Sequence, residues 1–95
     1  SLVSNLEKNR VYVRADVQFM ITHPEHELQI ELHQPAIRHE LLLLLMEQTS
    51  TELLTAEGKE ALRAAALAAV REVLDRQAGL EDVPKELYFT SFYVQ

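Results

Sequence analysis

Four histidines and a group of glutamates are the side chains of this 95-residue chain best suited to holding a metal or moving a proton. His26 and His33 are seven residues apart and would share one face of a helix. A helical zinc site asks for two histidines four apart with a glutamate beside the first, and no His-Glu-x-x-His pattern occurs. His23 precedes the helical stretch, and Pro35 separates His39 from the other histidines. Glu25, Glu27 and Glu31 invite a reading as paired acid and base. That chemistry needs a cleft that moves one carboxyl's pKa away from its neighbour's. The surrounding Glu and Gln instead describe a solvated helix face. Ser1, Ser4, Ser50 and Ser91 lack the strand–turn–helix context of a nucleophile. Gly58 and Gly79 are too few to build a phosphate-cradling loop. The expectation is therefore a protein with no catalytic residues, no metal and no cofactor.

Composition sets further bounds. The chain has the length of one domain, 1–95, able to bury a modest core. A net charge of −6 disfavours nucleic acid, which is bound by basic surfaces, and anionic lipid. The absence of cysteine removes disulfides and thiolate chemistry together. The longest apolar run, Leu41 to Met46, is far short of the ~20 residues that span a bilayer. The start at Ser1, without Met, suggests a domain excised from a longer chain, with any membrane anchor upstream.

Elements must then position whatever surface the chain uses. Val11 to Ile21 alternates: Val11, Val13, Ala15, Val17, Phe19 and Ile21 share one parity, polar residues most of the other. That is a strand with one wet face. Residues 1–6 form a shorter strand, and Glu7 to Arg10 a polar turn in which Asn9 tolerates a left-handed backbone. A first helix is expected over 25–33, with Thr22 as its cap, Glu25 reaching back and Pro24 in the first turn. Leu28, Ile30 and Leu32 alternate there like a strand, but Glu, Gln and Leu favour helix. Pro35 predicts a break and disfavours helical geometry at Gln34.

A second helix, 35–47, carries Ile37, Leu41, Leu44 and Leu45 on one face. Leu43 lies nearly opposite, so this helix is either deeply covered or part of an interface. Thr49 to Thr51 reads as a connection. Thr55 caps the longest helix, 56–78, whose stripe is Leu62, Ala66, Ala69, Val70 and Val73. Gly79 ends it in a left-handed turn, with Leu80 as the apolar contact. A charged loop containing Pro84 leads to the last strand, 87–95, apolar on both parities. A strand of that kind is buried on both faces or offers one to a partner. The fold class is α+β: a hairpin plus a C-terminal strand, with helices packed on one face. A crossover to the last strand is right-handed if that strand is a parallel neighbour of the second.

Four stretches in order resemble the C-terminal domain of the FliL family of flagellar basal body-associated proteins. Asn5-Leu6 resembles the element before its long strand, and Pro35-Ala36-Ile37-Arg38 with the leucine run resembles its Pro-x-Ile-Arg helix. Thr55-Ala56-Glu57-Gly58-Lys59-Glu60 resembles its Thr-x-Glu-Gly-Lys element. Tyr88 to Gln95 resembles its terminal Tyr-Phe-Thr-x-Phe-x-x-Gln. The family often carries an acidic residue after the arginine, where this chain has His39.

The resemblance implies a stomatin-like (SPFH) fold on the periplasmic side of the bacterial inner membrane, anchored by an upstream helix. It implies association with flagellar stator proteins of the MotA/MotB type, self-association into a ring, and support of torque, swimming and swarming. It implies no enzyme activity and no cofactor. The expected partner or subunit contacts are Arg38, Leu43, Glu57, Lys59, Glu60 and Tyr93. A stomatin-like membrane scaffold unrelated to flagella, a small enzyme using surface His and Glu, and a generic adaptor are the alternatives.

Overall fold

The alternation of the second strand is what the three-dimensional structure is built on. A computed structural model describes residues 1–6 and 11–95; the turn expected over Glu7 to Arg10 lies outside the described residues. Strand β1 (Leu2–Leu6) and strand β2 (Val11–Met20) pair antiparallel, with Leu2 opposite Ala15 and Leu6 opposite Val11. Strand β3 (Glu86–Val94) pairs antiparallel with the other side of β2, giving the order β1-β2-β3. The parallel crossover condition is therefore not met: β3 returns beside β2 in the opposite sense. Gln95, just past β3, exchanges backbone hydrogen bonds with Tyr12 at 2.9 and 2.8 Å.

The two-sided apolar pattern of β3 has a local cause. Asp16 lies opposite Ser91 and Val17 opposite Phe89, so Thr90 is an extra residue on β3. A bulge resets side-chain parity. Leu87 and Phe89 face the core before it, and Phe92 and Val94 after it; Tyr88 and Tyr93 are exposed. The phenyl rings of Phe89 and Phe92, brought together across the bulge, meet edge to face at 5.0 Å.

All four described helices lie on one face. They are α1 (Glu25–Leu32), α2 (Gln34–Met46), α3 (Ser50–Leu53) and α4 (Ala56–Ala78). Helix α2 packs over β1, α4 over β3, and the two helices pack side by side. Ile37, Leu41 and Leu45 of α2 meet Leu62, Ala66, Val70, Val73 and Leu74 of α4 in a core closed beneath by Val13 and Leu87. Ala66 keeps the helices close to each other and to the sheet. Each leucine buried this way contributes about 2 kcal/mol relative to exposure.

Three local expectations are corrected. Thr22 does not cap α1. Pro24 is already in helical geometry, and the first amides reach backbone carbonyls, His26 to His23 and Glu27 to Pro24. The Thr22 hydroxyl is hydrogen-bonded with His23 Nδ1 instead. The break before Pro35 falls at His33 (φ −98°, ψ 16°), and Gln34 is the first residue of α2. Pro35 sits in the first turn of α2, where its missing amide has no helical partner to lose, and the Ile37 amide reaches His33 O. Finally, Ser50 and Thr51 are helical: Thr49 accepts a hydrogen bond from the Glu52 amide and starts α3, whose Leu53 is fully buried.

Candidate interaction surface

The groups that could do chemistry are dispersed. The His23 and His26 rings lie 5.1 Å apart, His39 is exposed on α2, and His33 sits half-buried at the α1–α2 junction. Glu25, Glu27 and Glu31 are exposed along α1. Among the described residues, no three His, Asp or Glu side chains converge as metal ligands.

The start of α4 is more closely built. Thr55 Oγ1 accepts from the Gly58 amide at 2.9 Å and donates to Glu52 O at 3.0 Å. One hydroxyl thereby caps α4 and hooks it to the end of α3. Gly58 is required there by contact: a Cβ would stand 1.8 Å from Glu52 O. The Thr-x-x-Gly portion of the motif is thus architectural, and its outward residues are Glu57, Lys59 and Glu60. Lys59 Nζ sits 5.4 Å from the centre of the Phe92 ring, tying α4 to the end of β3.

Arg63 accounts for Glu60. Its guanidinium donates to both Glu60 oxygens, to Glu86 at 2.7 Å and to Leu87 O at 3.1 Å. The hydrogen bonds from Arg63 hold the Glu60 carboxyl below its ordinary range, and those to Glu60 and then Glu86 push the guanidinium pKa further up. Eight residues on, Arg71 donates to Pro84 O at 2.9 Å and Lys85 O at 2.8 Å. Two arginines on one side of α4 therefore clasp the start of β3. The sequence reading did not single out either; their eight-residue spacing along one helix face was the available signal.

The expected contact residues do not form one patch. Arg38, on α2 at the β1 side of the sheet, donates to Ser1 O at 3.1 Å. Leu43 is exposed on α2, while Glu57, Lys59 and Glu60 cluster at the start of α4. Tyr93 is exposed on the face of the sheet that carries no helix. The exposed large apolar side chains of the described strands, Val3, Tyr12, Met20, Tyr88 and Tyr93, lie on that open face. Val3, Arg14 and Tyr93 form one cross-strand row, and Asn5, Tyr12 and Gln95 the next. Tyr88 and Met20 extend it towards the other end. A shallow depression between Tyr12, Arg14, Ser91 and Tyr93 lies at its centre. Tyrosine and arginine are the side chains enriched where proteins meet proteins. The alternation of β2 already placed Tyr12 and Arg14 on the wet side, but the bulge hid the side taken by Tyr88.

Comparison with known proteins agrees with the four-stretch resemblance. A family model described as flagellar basal body-associated protein FliL matches residues 1–95. A flagellar protein FliL of Aquifex aeolicus is 27% identical over 85 residues, covering 90% of this chain and 50% of that protein. The chain thus spans about half the length of this curated relative.

Proposed function

Because the chain belongs to the FliL family of flagellar basal body-associated proteins, we propose that it is a non-enzymatic accessory domain of the bacterial flagellar motor that braces the stator. In this reading the domain lies on the periplasmic side of the inner membrane. No described helix is long and apolar enough to cross a membrane, so the reading assigns the anchor to a segment preceding the domain. Copies assemble into a ring around stator proteins of the MotA/MotB type, on a stomatin-like fold, and support torque, swimming and swarming. A brace of this kind acts only by binding the ion-conducting state of the stator more tightly than its closed state.

The observation that carries the reading is the uncovered face of the sheet. A three-stranded sheet with helices on one side leaves Val3, Tyr12, Met20, Tyr88 and Tyr93 exposed on the other. Such a surface is suited to a neighbouring macromolecule rather than to a small substrate. Arg38, Leu43, Glu57, Lys59, Glu60 and Tyr93 supply the contacts to neighbours and stator. Two are directly testable because their side chains are not part of the core. Arg38→Glu with Lys59→Glu reduces swimming and swarming, while the thermal midpoint of the purified domain moves by no more than a few degrees. Wild-type motility in that double variant refutes the contact assignment. Co-isolation of stator subunits with the full-length protein from membranes tests the partnership itself.

A further inference from the structure

Strand β2 is twice as long as its partner β1. Its ten residues run from Val11 to Met20, and β1 reaches only Ala15. Along Asp16 to Met20 the sheet therefore has, among the described residues, a neighbour on the β3 side alone. The hydrogen-bond phase of that half is fixed at both ends. Tyr12 exchanges both its bonds with Gln95, and Met20 O accepts from the Lys85 amide at 2.8 Å. Even-numbered residues of β2 thus bond towards β3, and the bulge, being on β3, does not disturb this order. By alternation, the amides and carbonyls of Val17 and Phe19 aim at the side that β1 does not reach.

The side chains tell the same story. Val13 and Ala15, flanked by β1, are 0% and 1% exposed, whereas Val17 and Phe19 are only half-buried. Between them and α2 lies a cleft of about 130 Å³ floored by Val17, Phe19, Ile37 and Leu41. Its rim is polar, with Ser1, Asp16, Gln34 and Arg38, and only its floor is apolar; since a cavity of roughly 150 Å³ holds a benzene ring, there is room on that floor for one branched aliphatic side chain. Ser1 stands at its mouth, with its carbonyl held by the Arg38 guanidinium.

We propose that this half-site is a strand-addition site, filled by the residues that precede Ser1 in the longer protein and that continue β1 antiparallel to Asp16–Met20. The proposal rests on the reading above that an anchor segment lies upstream. Edge backbone groups in line with an existing strand are met most simply by that strand's own continuation, which is present at high effective concentration. The register of Leu2 with Ala15 sets the pairing. The first, second and third residues before Ser1 fall opposite Val17, Gln18 and Phe19. Leu2, Ser4 and Leu6 face inward, so the first and third upstream residues turn towards the helices; the first, opposite Val17, is the one apolar side chain the cleft holds, and the second faces outward and is polar. The extended strand would bind the path to the membrane rigidly to α2 through Arg38.

Hydrogen exchange on the full-length protein in detergent, compared with the 95-residue chain, tests this. The Val17 and Phe19 amides exchange at least about tenfold more slowly in the full-length protein, while Val13 and Ala15 are unchanged. Because the chain has no cysteine, a disulfide reports the register. Gln18→Cys, combined with cysteine at the second residue before Ser1, forms a bridge, since that pair is not hydrogen-bonded and its Cα atoms approach to about 4.5 Å. Moving the upstream cysteine by two residues abolishes it. Equal exchange at Val17 and Phe19 in the two proteins, or protection that appears only when stator subunits or a second copy are added, overturns the proposal. A full-length protein that co-isolates with stators yet leaves both amides unprotected sinks the strand and leaves the motor assignment standing.

Discussion

Gly58 and Gly79 are both glycine for reasons that a substitution can tell apart. At Gly79 the backbone is left-handed (φ 67°) and nothing lies within 4 Å of an added Cβ. Gly79→Ala therefore carries only the conformational penalty, about 1 kcal/mol in chemical denaturation. At Gly58 the added carbon would be driven into Glu52 O, so α3 and α4 must separate. Gly58→Ala is expected to cost about 3 kcal/mol, at the upper end for overpacked sites. Thr55→Ala, which removes the cap and the hook to Glu52, costs about 1–2 kcal/mol, and Thr55→Ser restores most of it. A Gly58→Ala variant as stable as Gly79→Ala would show that the close approach at Glu52 is not required. Thr55 and Gly79 were legible in the sequence because caps obey rules written in neighbouring residues. The crowding at Gly58 was not, because it depends on a carbonyl in a helix that reads as a connection until Leu53 is seen buried.

Among the elements, β2 and α4 were legible almost to the residue, since each repeats one period over many positions. Strand β3 was found but misread, because its period changes sign at Thr90 and a single sequence does not mark a bulge. The reading has a direct check. Deleting Thr90 alone leaves Phe89 opposite Val17 and Ser91 opposite Asp16, so Phe92 and Val94 stay inward and the cooperative thermal transition is expected to be kept; deleting Thr90 and Ser91 together turns Phe92 and Val94 outward and Tyr93 towards α4, and the transition is expected to be lost. The junction between α4 and β3 offers a second. Arg71→Ala frees two carbonyls at Pro84 and Lys85, at an expected cost of about 2 kcal/mol for hydrogen bonds from a charged donor. Helix α1 was placed correctly in outline, but its start was not, since Thr22 lies too far ahead of the first turn to cap it. Of the candidate contacts, Arg38 and Lys59 are now tied to Ser1 and Phe92, links that span 37 and 33 residues and that no local pattern encodes.

At the scale of the whole molecule the charge balance has a pH signature. Glu60 is held below the ordinary carboxylate range, so the unfolded chain takes up this proton at a higher pH than the folded one. The stability contributed by its pairing with Arg63 is complete above about pH 4.3 and is lost as the pH falls through the folded value. Arg63 stays protonated throughout. Denaturation midpoints should fall on acidification below that point, and Glu60→Gln should flatten the fall; an unchanged acid limb would show the pair to be inconsequential. The shape of the body, 40 × 22 × 17 Å, adds a dynamic consequence. Helix α4 has 23 residues and is about 35 Å long, too long for either short axis, so it runs as a spar along the long one. A molecule of this form tumbles end over end more slowly than it spins. Amide vectors in α4, aligned with the spar, will therefore show faster transverse nuclear relaxation than those lying across the sheet; a neighbour joined end to end would widen that gap, and one packed alongside would narrow it.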